Sequence, residues 1–150
     1  MTRSLTPRLA ALLLCGFAAC GTSAETFEVK MLNRGPHGAM AYEPEFIQAA
    51  PGDTIKFLAS SNGHDAVSIA GMTPEGAAQF RGKVNEEIAV TLTQPGLYGI
   101  KCQPHYAMGM VMLVQVGAVP LSQLIVPEDV PEQAKQRFQG IVARVPASLK

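Results

Sequence analysis

The chain has 150 residues, enough for one compact domain and too few for two of ordinary size. Twelve basic residues balance twelve acidic ones, which excludes the dense positive surface that nucleic acid or an anionic membrane requires. Rich in glycine and proline and lacking tryptophan, the composition is that of a soluble globular protein, not a disordered one.

Arg3 and Arg8 flank a polar start, and an almost unbroken apolar run follows over residues 9–19. Gly21, Thr22, Ser23 and Ala24 then offer small residues suited to cleavage after Ala24, so residues 1–24 have the three-part layout of a secretory signal. The run is shorter than the roughly 20 residues that span a bilayer, and no second apolar stretch follows, so export without a membrane span is expected. Phe17-Ala18-Ala19-Cys20 resembles a lipoprotein cleavage box that would leave a lipidated Cys20. Such boxes favour leucine where Phe17 stands, and simple secretion is the preferred reading. Removal of residues 1–24 takes away two basic side chains and no acidic one, giving a net charge of −2. It also removes Cys15 and Cys20, leaving Cys102 as the only thiol. A single cysteine builds no disulfide framework, so Cys102 needs another reason to be present.

From Glu25 to about Val116 the pattern is that of strands. Phe27, Val29 and Met31 alternate with Glu28 and Lys30, and His37 falls in a solvated turn. Pro51-Gly52-Asp53 turns into residues 54–59, where Ile55 and Phe57 share a face. Val67 and Ile69 mark a short strand after His64, and Ile88, Val90 and Leu92 alternate while Thr91 and Thr93 face the other way. Pro95-Gly96 leads into residues 97–102, where Tyr98, Ile100 and Cys102 lie on one face. The stretch ending at Tyr98 reads equally as a tyrosine corner or as an ordinary turn before a core tyrosine. Residues 111–116 close the series. Beyond them, residues 121–126 suit a short helix. Residues 132–145 carry Ala134, Phe138, Ile141 and Val142 at helical spacing after Pro131. The expected architecture is all-β: a two-sheet sandwich over residues 25–118, with one or two C-terminal helices in residues 119–150 packed on the same domain.

Chemistry concentrates in Cys102-Gln103-Pro104-His105-Tyr106-Ala107-Met108-Gly109-Met110, a loop between two expected strands. It offers a thiolate, an imidazole and a thioether to one point. His64, in Gly63-His64-Asp65 ahead of a strand, is the best candidate for a second imidazole at the same end of the sandwich. Two histidines and a cysteine with a weak axial methionine are the ligand set of a type 1 (blue) copper site, in which soft sulfur favours Cu(I) and imidazole suits both oxidation states. On spacing alone, Met108 competes with Met110 for the axial position. A protein-filled set leaves no open position for substrate, so an electron carrier is expected rather than an enzyme. Two alternatives use overlapping residues. A copper-binding or delivery protein would want a more open site, and a thiol enzyme using Cys102 and a histidine leaves Met110 unexplained.

Several further segments match a known family. Phe27-Glu28-Val29, Met31-Leu32-Asn33, Gly38-Ala39-Met40, Ala50-Pro51-Gly52-Asp53, Gly63-His64, Tyr98-Gly99-Ile100-Lys101-Cys102 and Met108-Gly109-Met110 resemble the pseudoazurins, a branch of the cupredoxins. The resemblance implies a Greek-key sandwich of about eight strands and one copper ion held by His64, Cys102, His105 and Met110. It implies a monomeric periplasmic carrier cycling Cu(II)/Cu(I) for a copper nitrite reductase or a c-type cytochrome. Met40, Pro104, Ala107 and Met108 would form the docking patch around His105.

The chain departs from the family in two places. Asp65 stands where pseudoazurins usually have asparagine, and a carboxylate beside an anionic thiolate disfavours reduction. Its N–H still suits the Cys102 sulfur, whereas Pro104 has no N–H to offer a second bond. Asn62 and Ala70 are neutral where the family often has lysine, leaving Arg34, Arg81, Lys83 and Lys101 as a thinned basic ring.

Overall fold

The computed structural model describes residues 23–149. The expected signal, with its apolar run, Cys15 and Cys20, lies outside the described residues apart from Ser23 and Ala24. Eight strands form two sheets. β1 (Thr26–Gly35), β2 (Gly38–Glu43), β4 (Asp53–Leu58) and β6 (Ile88–Leu92) make one sheet, in the order β2-β1-β4-β6. β3 (Phe46–Ala49), β5 (Val67–Ser68), β7 (Gly96–Lys101) and β8 (Val111–Val116) make the other, in the order β3-β8-β7-β5. β1 runs parallel to β4 and β3 parallel to β8, while the other neighbours are antiparallel. This is a Greek-key sandwich, the expected class.

Period-two alternation fills the space between the sheets. Val29 and Met31, Ile55 and Phe57, Tyr98 and Ile100, and Met112, Val114 and Val116 are all buried there. β8 is buried at every position. Its second face, at Val111 and Leu113, is covered by Ala134, Phe138 and Ile141 of the helix α1 (Glu132–Arg144). Arg137 Nη2 donates to the Ala39 carbonyl at 3.1 Å, and Arg144 Nη2 lies 2.6 Å from Glu45 Oε1. The helix is thereby tied to β2 and to the corner beyond it. Tyr98 Oη donates to the Gln94 carbonyl at 2.7 Å, so the segment is a tyrosine corner and not an ordinary turn.

Two local expectations need correction. Residues 121–126 form one 3₁₀ turn at Leu121–Gln123, not a helix. The chain leaves the turn in an extended backbone at Leu124, and Pro127 disfavours a helical Val126 just beyond. The strand after His64 is Val67–Ser68, and Ile69 lies just past it, its N–H on the Gly99 carbonyl at 2.9 Å. His37 sits in the solvated β1–β2 turn as expected, and its Nδ1 is 3.0 Å from Glu45 Oε1. Among the described residues, no helix is long and apolar enough to cross a membrane.

Candidate metal centre

Two loops meet at one end of the sandwich. The first, between β4 and β5, carries His64; the second, between β7 and β8, carries Cys102 and His105. His64 Nδ1 and His105 Nδ1 are 3.1 Å apart, and Cys102 Sγ is 3.7 Å from the first and 3.5 Å from the second. The vertices of that triangle lie about 2.0 Å from a common centre, close to the roughly 2.0–2.3 Å at which nitrogen and sulfur bind a first-row metal ion. His64 Nε2 is 2.9 Å from Asn33 Oδ1. An amide oxygen only accepts, so Nε2 carries the proton and the Nδ1 lone pair faces the other two donors. Electron-rich atoms this close together, with the tautomer fixed from behind, fit a cation at their centre.

The local fold explains the convergence. Cys102 continues the inward face of Tyr98 and Ile100 one step beyond β7. The Cys102 N–H donates to the Met110 carbonyl at 3.0 Å, and the Met110 and Met108 N–H groups both reach the His105 carbonyl. These bonds close the loop into a 3₁₀ turn at Tyr106–Met108, which Gly109 ends in the left-handed region. Met110 is thus buried beside Cys102 in the core, whereas Met108 points outward, 53% exposed. His64 and Cys102 are fully buried, and His105 alone of the three is partly exposed.

Electrostatics at the site oppose one another. Burial pushes the Cys102 thiol up, while the N–H groups of Asp65 and His105 stabilise its thiolate and pull it down. The Asp65 carboxylate pushes it up again. The His105 N–H, one residue past Pro104, donates to the Cys102 carbonyl at 3.2 Å. Burial, followed by the neighbouring His105, lowers the His64 pKa below the usual imidazole value. Neutral imidazole is the form that binds a metal, and a metal ion displaces the thiol proton that burial retains.

Asp65 also joins the two loops. Its Oδ1 accepts from the Gln103 N–H at 2.6 Å, and its own carbonyl accepts from Tyr42 Oη at 2.6 Å. Sequence reasoning left Asn33, Tyr42 and Asn85 without a role. Asn33 follows Val29 and Met31 at every second position of β1 but is exposed, so no buried polar group marked it in the sequence. Asn85 had no signal either.

A sandwich of this topology with a buried cysteine between two histidine nitrogens defines a copper protein of the cupredoxin class. Residues 29–117 match the family model described as copper binding proteins, plastocyanin/azurin family. A pseudoazurin of Paracoccus pantotrophus is 44% identical over 137 residues, spanning 91% of this chain and 94% of that protein. A putative pseudoazurin of Rhizobium leguminosarum is 38% identical, with 88% of each chain covered. The solved structure of a pseudoazurin from Sinorhizobium meliloti superposes with a TM-score of 0.76 at 40% identity, covering 82% of this chain and 98% of that one. The chain belongs to the plastocyanin/azurin family, in its pseudoazurin branch. Pseudoazurins are electron-transfer cupredoxins and not enzymes, and copper is the cofactor of this chain.

Proposed function

We propose that this chain is an exported, monomeric one-electron carrier whose copper is held by His64 Nδ1, Cys102 Sγ, His105 Nδ1 and, axially, Met110. The observation that carries the reading is the close convergence of the three nitrogen and sulfur donors behind an imidazole whose tautomer Asn33 fixes. Burial of Met110 beside Cys102 supports it over Met108. Copper bound there supplies the Cu(II)/Cu(I) couple. The protein's own groups bury the donors, favour the neutral form of the His64 imidazole and set the Asp65 and His105 N–H groups where they favour the thiolate. A donor set with His64 and Cys102 fully buried suits retention of the ion rather than its hand-over to another protein.

His105 is the route for electrons, because it alone of the three brings a donor ring to the surface. Pro104, Ala107 and Met108 are exposed around it and Met40 is partly so, a small apolar patch on which a partner docks. Residues 1–24 direct export to the periplasm, residues 25–118 form the copper domain, and residues 119–150 are its extension. The partner is a copper nitrite reductase or a c-type cytochrome.

The test is direct. The chain from Glu25 onward, expressed and given Cu(II), should develop an intense thiolate-to-copper absorption that bleaches on reduction. Cys102→Ser should abolish the band and Met108→Leu should leave it nearly intact. A colourless protein refutes the copper assignment.

A further inference from the structure

The loop that carries His64 is gripped from a segment that supplies no metal donor. The Gly63 N–H donates to Asn85 Oδ1 at 2.6 Å, and the Asn85 N–H donates to the His64 carbonyl at 2.8 Å. A single residue thus binds on both sides of the peptide that joins Gly63 to His64. Three residues earlier in the same segment, the Gly82 N–H donates to the Ala66 carbonyl at 2.9 Å. Asn85 adopts φ 65, in the left-handed region where asparagine is tolerated better than other residues with a side chain. That backbone turn lets its N–H and its side-chain oxygen face the same loop. The imidazole is fixed separately, by Asn33 at Nε2.

We infer that Asn85 is a positioning residue for His64. It holds the backbone from which the Nδ1 donor projects, so that the donor keeps its place whether or not a metal is bound. An imidazole restrained at both backbone and ring has little freedom to follow a change in oxidation state. Copper leaves such a site slowly, because release requires the ligand loop to open.

Two variants separate the side chain from the backbone. Asn85→Gly keeps the left-handed conformation and the N–H to the His64 carbonyl, and deletes the acceptor for Gly63. Asn85→Asp keeps an acceptor at the same reach and tolerates the same backbone. Amide hydrogen exchange in the copper-free protein reads the clamp directly. Asn85→Gly should speed exchange at Gly63 by about three- to tenfold, the scale of one partly solvated hydrogen bond. The Gly117 amide, bonded to the Ala49 carbonyl at 2.8 Å in another part of the sandwich, should not change. Asn85→Asp should restore protection at Gly63. In the copper-loaded protein, Asn85→Gly should release the ion to a chelator faster by a similar factor, again with rescue by aspartate.

Unchanged Gly63 exchange in Asn85→Gly overturns the inference. So does an equal rise at Gly117, which means general loosening, or a rise that aspartate fails to reverse. The role rests on the proposed copper reading, but the two fail separately. A wild-type protein that stays colourless removes the copper assignment and leaves the exchange result standing. A blue protein with unaltered exchange in Asn85→Gly removes only the clamp.

Discussion

Gly109 is where the C-terminal helix meets the metal-binding loop, one residue before Met110. Its φ is +84°, and a Cβ built there would lie 2.8 Å from the carbonyl oxygen of Gln133 and 3.1 Å from the carbonyl carbon. Gln133 is the second residue of α1, and its carbonyl is fixed by the helix. The helix has little room to retreat, since Arg137 and Arg144 tie it to Ala39 and Glu45. Gly109→Ala therefore carries two costs: roughly 1–2 kcal/mol for a side chain in the left-handed region, and roughly 1–3 kcal/mol for the overlap. Gly76 separates them. Its φ is +76° and nothing lies within 4 Å of a Cβ built on it, so Gly76→Ala carries the backbone cost alone. The two variants should differ by about 1–3 kcal/mol. For a domain of this size that places the Gly109→Ala melting temperature about 4–12 °C below that of Gly76→Ala. Thermal unfolding of the copper-free proteins measures the difference. In the copper-loaded form Gly109→Ala should also change the ratio of the absorption bands, because the displaced backbone carries Met110 with it, while Gly76→Ala should not. Melting temperatures within about 1 °C of each other would show that helix and loop do not press on one another there.

Three further outcomes are expected. Asp65→Asn should raise the reduction potential by roughly 50–100 mV, because removing a buried negative charge near the sulfur favours the added electron, at an effective dielectric constant of about 20–40; voltammetry showing no change or a fall counts against it. Tyr98→Phe removes the bond to the Gln94 carbonyl and should cost about 1 kcal/mol in denaturant unfolding. A loss below about 0.3 kcal/mol would make the corner energetically idle. The rate of electron transfer to an acidic partner should fall by no more than about threefold from low to high salt, since the basic ring is thin and the Lys101 ammonium lies 4.5 Å from the Tyr106 ring centre. Stopped-flow rates that fall steeply with ionic strength would refute a weakly steered encounter.

What the sequence disclosed depended on distance along the chain. Cys102, His105 and Met110 share one loop, and their spacing carries the chemistry without any knowledge of the fold. His64 was legible because a glycine and a following strand place it at a sandwich end. β2 and β3 were not legible as strands. Ala41 and Tyr42 are buried side by side and Met40 has φ 50, so β2 shows no alternation, and β3 has only four residues. The residues that hold the donors were harder still. Asn33 acts on His64 across 31 positions and Asn85 acts on the neighbouring Gly63 across 22, and neither bond leaves a local pattern.

Asp65 shows why such supporting residues cannot be judged by charge alone. As a departure from asparagine it looks unfavourable, because a carboxylate raises the cost of a nearby thiolate. In the structure the same side chain accepts the Gln103 N–H, its N–H stabilises the sulfur, and its carbonyl receives the Tyr42 hydroxyl. Asparagine at this position keeps all three bonds, since its side-chain oxygen accepts as well as a carboxylate oxygen. Geometry is therefore the same with either residue, and charge is what differs. Position 65 is expected to act on the reduction potential through charge alone, which Asp65→Asn tests. The expected outcome is a higher potential in Asp65→Asn with the Gln103 amide still protected from exchange, since its acceptor remains.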